Sequence, residues 1–253
     1  DILTVSDQST VSSAAGSVVS EFETLNLTDT TDNETLDLDN FANNTFTTIK
    51  LGAVSDLTLS SVRDETICFT ANLANAKTAT ITKESASGSS DVANIKLASA
   101  VGTAVVDIGG GSGTSGTAEF VVISNVETIN ITSDDTDTTT SSGRHVLDLK
   151  ADKATTINVT GDAGLELSSN EAHDYDLVTT FDASGVVLGT TSFLGVKYIA
   201  SFNTTGNATT VKGTDGADII LTGRSDDTVS LGTGNDDFEY EGGADSVTGG
   251  GGN

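Results

Sequence analysis

Apolar and polar residues alternate in short runs along much of this 253-residue chain. The runs are ETLNL (23–27), ETLDL (34–38), TTIKL (47–51), DLTL (56–59), ANIKL (93–97), ETINI (127–131), VLDL (146–149), TTINV (155–159) and LEL (165–167). A period of two puts every second side chain on the same face, so each run predicts a short strand with one buried face. Helix signals are nearly absent, because Gly, Thr, Ser, Asn and Asp, which disfavour helix interiors, are abundant. Gly, Asn, Asp and Ser stand at many of the junctions. Antiparallel hairpins would show two-residue turns such as Asn-Gly or Asp-Gly, and these are scarce apart from TDGA near the C-terminus. The pattern predicts an all-β chain wound as a parallel β-solenoid of stacked coils.

The alternation also repeats over a longer distance. EFETLNLTDTTD (21–32) matches NVETINITSDDT (125–136), and LDLDNFANNTFTTIKLGAVSDLTLSS (36–61) matches LDLKADKATTINVTGDAGLELSS (147–169) after a short gap. Two matches in the same order imply a tandem duplication, with one solenoid copy in 1–104 and a second in 105–203. Leu25 then corresponds to Ile129 and Ile49 to Ile157, each expected to be buried on an equivalent strand.

From residue 204 the period tightens to nine: TTGNATTVK, GTDGADIIL, TGRSDDTVS, LGTGNDDFE, YEGGADSVT and GGGGN. The sixth column reads Thr209, Asp218, Asp227, Asp236, Asp245. The eighth is apolar throughout: Val211, Ile220, Val229, Phe238, Val247. The fourth is mostly glycine, which permits tight turns with positive φ. Two nonapeptides make one coil, so residues 18 apart stack at the parallel-strand spacing of about 4.8 Å. Asp218 is then expected over Asp236, and Asp227 over Asp245 on the opposite side. Carboxylates so placed repel by roughly 3 kcal/mol per pair at an effective dielectric of about 20, unless a cation lies between them. Oxygen donors select a hard ion, and flexible carboxylate-plus-carbonyl coordination suits Ca²⁺ better than Mg²⁺. The candidate ligands are Asp218, Asp227, Asp236 and Asp245, with Asp215, Gly216, Gly234 and Asn235 of the turns.

GTDGADIIL, LGTGNDDFE and GGGGN resemble the G-G-x-G-x-D-x-U-x repeat of RTX calcium-binding proteins. TGRSDDTVS and YEGGADSVT are degenerate, and TTGNATTVK lacks the aspartate. The resemblance covers 204–253 and implies a right-handed calcium-binding β-roll, extracellular Ca²⁺ binding and type I secretion by a signal beyond residue 253. Upstream, phrases such as ADKATTINVTGDAGLEL and VTTFDASGVVL resemble in style the Thr/Ser/Asn-rich solenoids of RTX-type bacterial surface-layer proteins.

Charge sharpens the choice among functions. The net charge is −26, from 37 acidic and 11 basic residues, which argues against nucleic acid or an anionic membrane and suits cation binding. No run of about 18 apolar residues offers a membrane span. The absence of Met, and a terminus that stops inside a glycine motif, suggest a piece of a longer protein in which Asp follows Asn253. Cys68 is the one cysteine, expected to be a buried strand residue. Asp29, Asp32, Asp134, Asp135 and Asp137 could hold further Ca²⁺, or simply form solvated turns. GGGSGTSG (109–116) lacks a P-loop lysine and reads as a loop. His145 and His173 lack metal-ligand spacing, and HDYD (173–176) reads as a polar, solvent-facing stretch.

Three functions compete. The first is a non-enzymatic surface-layer subunit, self-associating through Ca²⁺ and anchored to cell-surface polysaccharide by parts outside this segment. The second is a segment of a secreted RTX adhesin, for which the length of the duplicated unit speaks. The third is a polysaccharide lyase or epimerase, which would need a basic, aromatic groove. No Trp, three Tyr and 11 basic residues speak against the third.

Overall fold

The computed structural model describes residues 1–6, 18–28, 34–52, 55–73, 77–98, 105–109, 119–135, 143–168, 175–188, 194–200 and 207–252. Eleven strands form one sheet, in the order β1 (Ile2–Val5), β2 (Thr24–Leu27), β4 (Thr48–Leu51), β6 (Thr66–Phe69), β8 (Val92–Ala98), β11 (Thr128–Asp134), β13 (Thr156–Gly161), β15 (Thr180–Val186), β17 (Thr210–Lys212), β19 (Thr228–Ser230) and β21 (Ser246–Thr248). The second sheet holds β3 (Glu34–Asp37), β5 (Leu57–Val62), β7 (Thr78–Lys83), β10 (Phe120–Ile123), β12 (His145–Lys150), β14 (Leu165–Ser168), β16 (Leu194–Ile199), β18 (Ala217–Leu221) and β20 (Asp237–Glu239). The two-residue β9 (Asp107–Ile108) lies beside β12. Among the described residues every strand pairing is parallel, and the one helical segment is a 3-10 turn at Leu38–Phe41. None offers a helix long and apolar enough to cross a membrane.

The chain is a parallel β-solenoid. From β10 onward successive strands alternate strictly between the two sheets, so each coil contributes one strand to each. The period-two alternation places the apolar side of the strands inward, up to the terminal β21, which is exposed. Leu25, Ile49, Ile67, Ile95, Ile131 and Val159 form one continuous inward ladder, all at most 1% exposed. Leu25 pairs with Ile49 and Ile129 with Ile157, and all four are fully buried in the eleven-stranded sheet. Pairing of β8 with β11 joins residues on either side of position 104, and β15 with β17 joins residues on either side of 203. The segments 1–104, 105–203 and 204–253 therefore share one pair of sheets.

Stacking also orders the outward positions. Asn130 donates to Asn94, and Asn158 to Asn130, each at 3.0 Å, in an amide ladder along the sheet. The asparagines lie 36 and 28 residues apart, so strand register holds while the length of chain between paired strands varies. Cys68 lies between Lys50 and Lys96 in its column and is buried; burial pushes its thiol pKa up while the two lysines pull it down.

Inside the last upstream coils, Phe181 stacks on Tyr198 at 4.1 Å between ring centroids, and Tyr175 lies at 6.0 Å from Tyr198. Tyr175 is buried and its hydroxyl donates to the Ile199 carbonyl at 2.9 Å. Within HDYD, Tyr175 is therefore not an exposed polar residue but part of the core, because stacking on Tyr198 gives the ring a partner and Ile199 satisfies its hydroxyl; His173 and Asp174 lie outside the described residues.

Candidate metal centre

Each nonapeptide after residue 207 supplies one three- to five-residue strand and one glycine turn. Because strands alternate between sheets, residues 18 apart become neighbours: Val211, Val229 and Val247 on one side, Ile220 and Phe238 on the other. The sixth-column residues follow the same register. Thr209, Asp227 and Asp245 stack along the eleven-stranded side, Asp218 and Asp236 along the other.

One oxygen of each later aspartate is bound to the coil before it. Asp227 Oδ1 accepts from the Thr209 amide at 2.7 Å, Asp236 Oδ1 from the Asp218 amide at 3.0 Å, and Asp245 Oδ1 from the Asp227 amide at 3.0 Å. The second oxygen, Oδ2, of all three is buried without a hydrogen-bond partner. A buried carboxylate oxygen left in this way is costly, and a bound water or ion is a common way to satisfy it. Asp227 as a residue is only 2% exposed. Burial pushes its pKa up and the charges of Asp245 and Asp226 add to it; the Thr209 amide opposes that, as does the Thr222 hydroxyl, which lies near Asp227 without completing a hydrogen bond and is itself buried and unpartnered.

The turns stack closely on one another. Gly234 and Gly243 have φ of +134° and +94°. A Cβ at Gly234 would lie 2.4 Å from the Gly216 carbonyl oxygen, and one at Gly243 2.0 Å from that of Ser225. The carbonyl of one turn thus approaches the backbone of the next in a way that only glycine tolerates. Among the described residues no three His, Cys, Asp or Glu side chains converge as a metal-binding group, so a cation here would draw on backbone carbonyls beside single carboxylates. Such an all-oxygen, irregular donor set fits Ca²⁺, and fits poorly the small octahedron that Mg²⁺ needs.

Asp218 differs from the other three. Its Oδ1 accepts from the Val196 amide at 2.6 Å and the Thr214 hydroxyl at 2.9 Å, and its Oδ2 from the Thr214 amide at 2.7 Å. Burial pushes its pKa up and Asp236 adds to that, while these three hydrogen bonds oppose it. Gly216 is buried, whereas Asp215 and Asn235 are exposed. The Asp215 carbonyl accepts from the Thr233 hydroxyl at 3.2 Å.

Upstream, Asp134 pairs with Lys96, and the Asp135 amide donates to Asp162 at 2.8 Å. Asp29, Asp32, Asp137, His173 and residues 110–116 lie outside the described residues. His145 is buried; its Nδ1 accepts from the Val106 amide at 2.7 Å, which leaves Nε2 to carry the proton toward the Asp134 carbonyl at 3.0 Å.

Sequence reasoning missed Arg144, Thr214, Gly195 and Gly213. Arg144 Nε donates to the Gly195 carbonyl at 2.8 Å and Nη2 to the Ala217 carbonyl at 2.6 Å. Burial lowers its pKa, and the charges of Asp218 and Glu166 raise it. No periodicity links Arg144 to Ala217, 73 residues later. Thr214 does carry a faint signal, because it opens the turn that ends in Asp218. A scan against protein-family models matched none, and a search of curated proteins found no match.

Proposed function

We propose that this chain is a non-catalytic structural segment of a calcium-dependent bacterial surface layer, carried outside the cell, in which Ca²⁺ orders the nonapeptide coils and promotes assembly. The observation that carries this reading is the set of buried, unpartnered Oδ2 atoms of Asp227, Asp236 and Asp245, beside turns whose carbonyls approach the next coil. The likeness of the nonapeptides to RTX repeats agrees with it, as does a net charge of −26. Acidic faces repel one another, and a divalent cation between copies turns that repulsion into attraction. Anchoring to cell-surface polysaccharide belongs to other parts of the assembly.

The competing readings fit less well. Bead-like adhesin repeats would form separate sandwiches, whereas here the sheets run through both segment boundaries. A lyase or epimerase would need aromatic side chains in a basic groove; Tyr175, Phe181 and Tyr198 are buried in the core.

The test is assembly of the purified chain, followed by light scattering and electron microscopy in Ca²⁺, in Mg²⁺ and in chelator. Ordered arrays or large particles that form with Ca²⁺ and dissolve on chelation are the expected result. A monomer under all three conditions would argue for the adhesin segment. Turnover of an anionic polysaccharide would replace the proposal with an enzyme.

A further inference from the structure

The nonapeptide column needs a beginning, and its first aspartate is bonded unlike the rest. Asp227, Asp236 and Asp245 each keep a buried oxygen without a partner, but both oxygens of Asp218 are occupied by Val196 and Thr214. The carboxylate is 1% exposed, so its charge still requires compensation. The residues around it form a close cradle. A Cβ at Gly195 would lie 2.0 Å from Asp218 Oδ1, and one at Gly213 2.3 Å from Oδ2.

A cation stands one peptide away from this cradle: the Gly195–Val196 peptide donates its N–H to Asp218 and its carbonyl accepts from Arg144. Arg144, just before β12, reaches down the stack past Gly164, where a Cβ would come within 3.1 Å of its Cγ and 2.5 Å of the Gly195 carbonyl. Its guanidinium then bridges the Gly195 and Ala217 carbonyls, on β16 and β18 of two successive coils. Two backbone carbonyls from consecutive coils beside a buried aspartate make the kind of environment the downstream turns offer to a metal ion. Here a fixed, planar, always-charged group supplies the positive charge. The other side of the roll also begins without a carboxylate: Thr209 takes the sixth-column place, is buried, and directs its hydroxyl to the Val178 carbonyl at 3.5 Å.

We infer that Arg144 is a built-in cation closing the upstream end of the nonapeptide column, so that the coil holding Asp218 folds without metal and templates the calcium-dependent coils that follow. The inference rests on the calcium reading above. It adds that metal dependence begins at Asp227, and that a residue of the solenoid sets this boundary. The compensating charge is covalently part of the chain, so the first coil stays closed when Ca²⁺ is absent. Later coils then add to an existing sheet edge, without the cost of nucleating one.

Amide hydrogen exchange on the whole chain, in chelator and in Ca²⁺, separates the two claims. In chelator the Val196 and Thr214 amides, which donate to Asp218, stay protected, while those of Asp218 and Asp227, which donate to Asp236 and Asp245, exchange fast and slow down on adding Ca²⁺. The neutral Arg144→Met variant loses protection at Val196 and Thr214 by about tenfold or more, and Arg144→Lys, which keeps the charge, retains a large part of it. Amides around Leu25 and Ile49 report whether the upstream solenoid remains folded. The arginine inference is overturned if Val196 and Thr214 exchange freely in the parent chain in chelator, or are unaffected in Arg144→Met. It is overturned equally if Arg144→Met loses protection throughout and Arg144→Lys is no better. The calcium reading fails separately if Ca²⁺ leaves the Asp218 and Asp227 amides unchanged.

Discussion

At Gly213 a methyl group would sit 2.3 Å from Asp218 Oδ2 and 2.5 Å from the Leu231 carbonyl oxygen. The carboxylate is held by three hydrogen bonds and the carbonyl is backbone, so neither can move cheaply. Gly213→Ala should therefore destabilise the fold by about 1–3 kcal/mol, the usual range for forcing extra volume into a packed site, measurable as a lower denaturant midpoint. His145 offers a second residue-level test. Burial lowers its pKa below the ordinary value, and the Val106 amide, which needs the Nδ1 lone pair, also favours the neutral ring; the Asp134 carbonyl and the charges of Asp134 and Asp135 oppose this. A histidine whose folded pKa is depressed binds fewer protons folded than unfolded. Its contribution is complete above the unfolded value of about 6.5 and is lost as pH falls toward the lower folded value. Thermal stability in chelator should therefore drop below about pH 6.5, and His145→Gln should flatten that part of the profile. An unchanged slope in the variant would assign the acid sensitivity to other groups.

Among the elements, the nonapeptide strands are the least able to fold alone. β19 buries one side chain of three, β20 buries none fully and β21 is exposed throughout. Their apolar column is thin, and Val247 remains 41% exposed. Ca²⁺ should raise the β-sheet signal in circular dichroism and add protection mainly in 222–252, with Mg²⁺ a poor substitute. Asp236→Ala with Asp245→Ala should remove most of that response and cost on the order of a few kcal/mol of calcium-dependent stability. An identical spectrum in chelator and in Ca²⁺ would leave the metal no structural role. Part of this was legible in the sequence, for a physical reason. Strict periods of two and nine fix which side chains share a face, and so expose β2, β4, β8, β11 and β13 as well as the aspartate columns. Arg144 sits in a non-repeating loop, and its partners are backbone carbonyls, which no residue pattern marks. The burial of Tyr175 is not legible, because it depends on Tyr198, a ring from the strand after β15 that no periodicity links to it.

Over the whole molecule, two continuous parallel sheets carry a net charge of −26. Repulsion on that scale is screened by salt, with a Debye length of about 3 Å at 1 M. Screening supplies no ligand to a buried oxygen, however. High NaCl should therefore reduce repulsion between copies without replacing Ca²⁺ in ordering the nonapeptide coils, and sedimentation in 1 M NaCl plus chelator, about the strongest practical screening, should show the chain still unassembled. Assembly in NaCl alone would make lattice formation a matter of screening only. Calcium binding also needs ionised carboxylates. With the Asp227 pKa pushed up by burial, affinity should weaken on acidification and binding should release protons.

Equilibrium dialysis of Ca²⁺ against the parent chain and the Asp227→Asn, Asp236→Asn and Asp245→Asn variants, singly and together, tests the central claim most directly. The expected result is saturable binding at roughly 10⁻⁴–10⁻³ M, as in extracellular calcium modules, with capacity falling at each substitution and little left in the triple variant. Absence of saturable binding by the parent chain in that range, or an unchanged capacity in the triple variant, would contradict it.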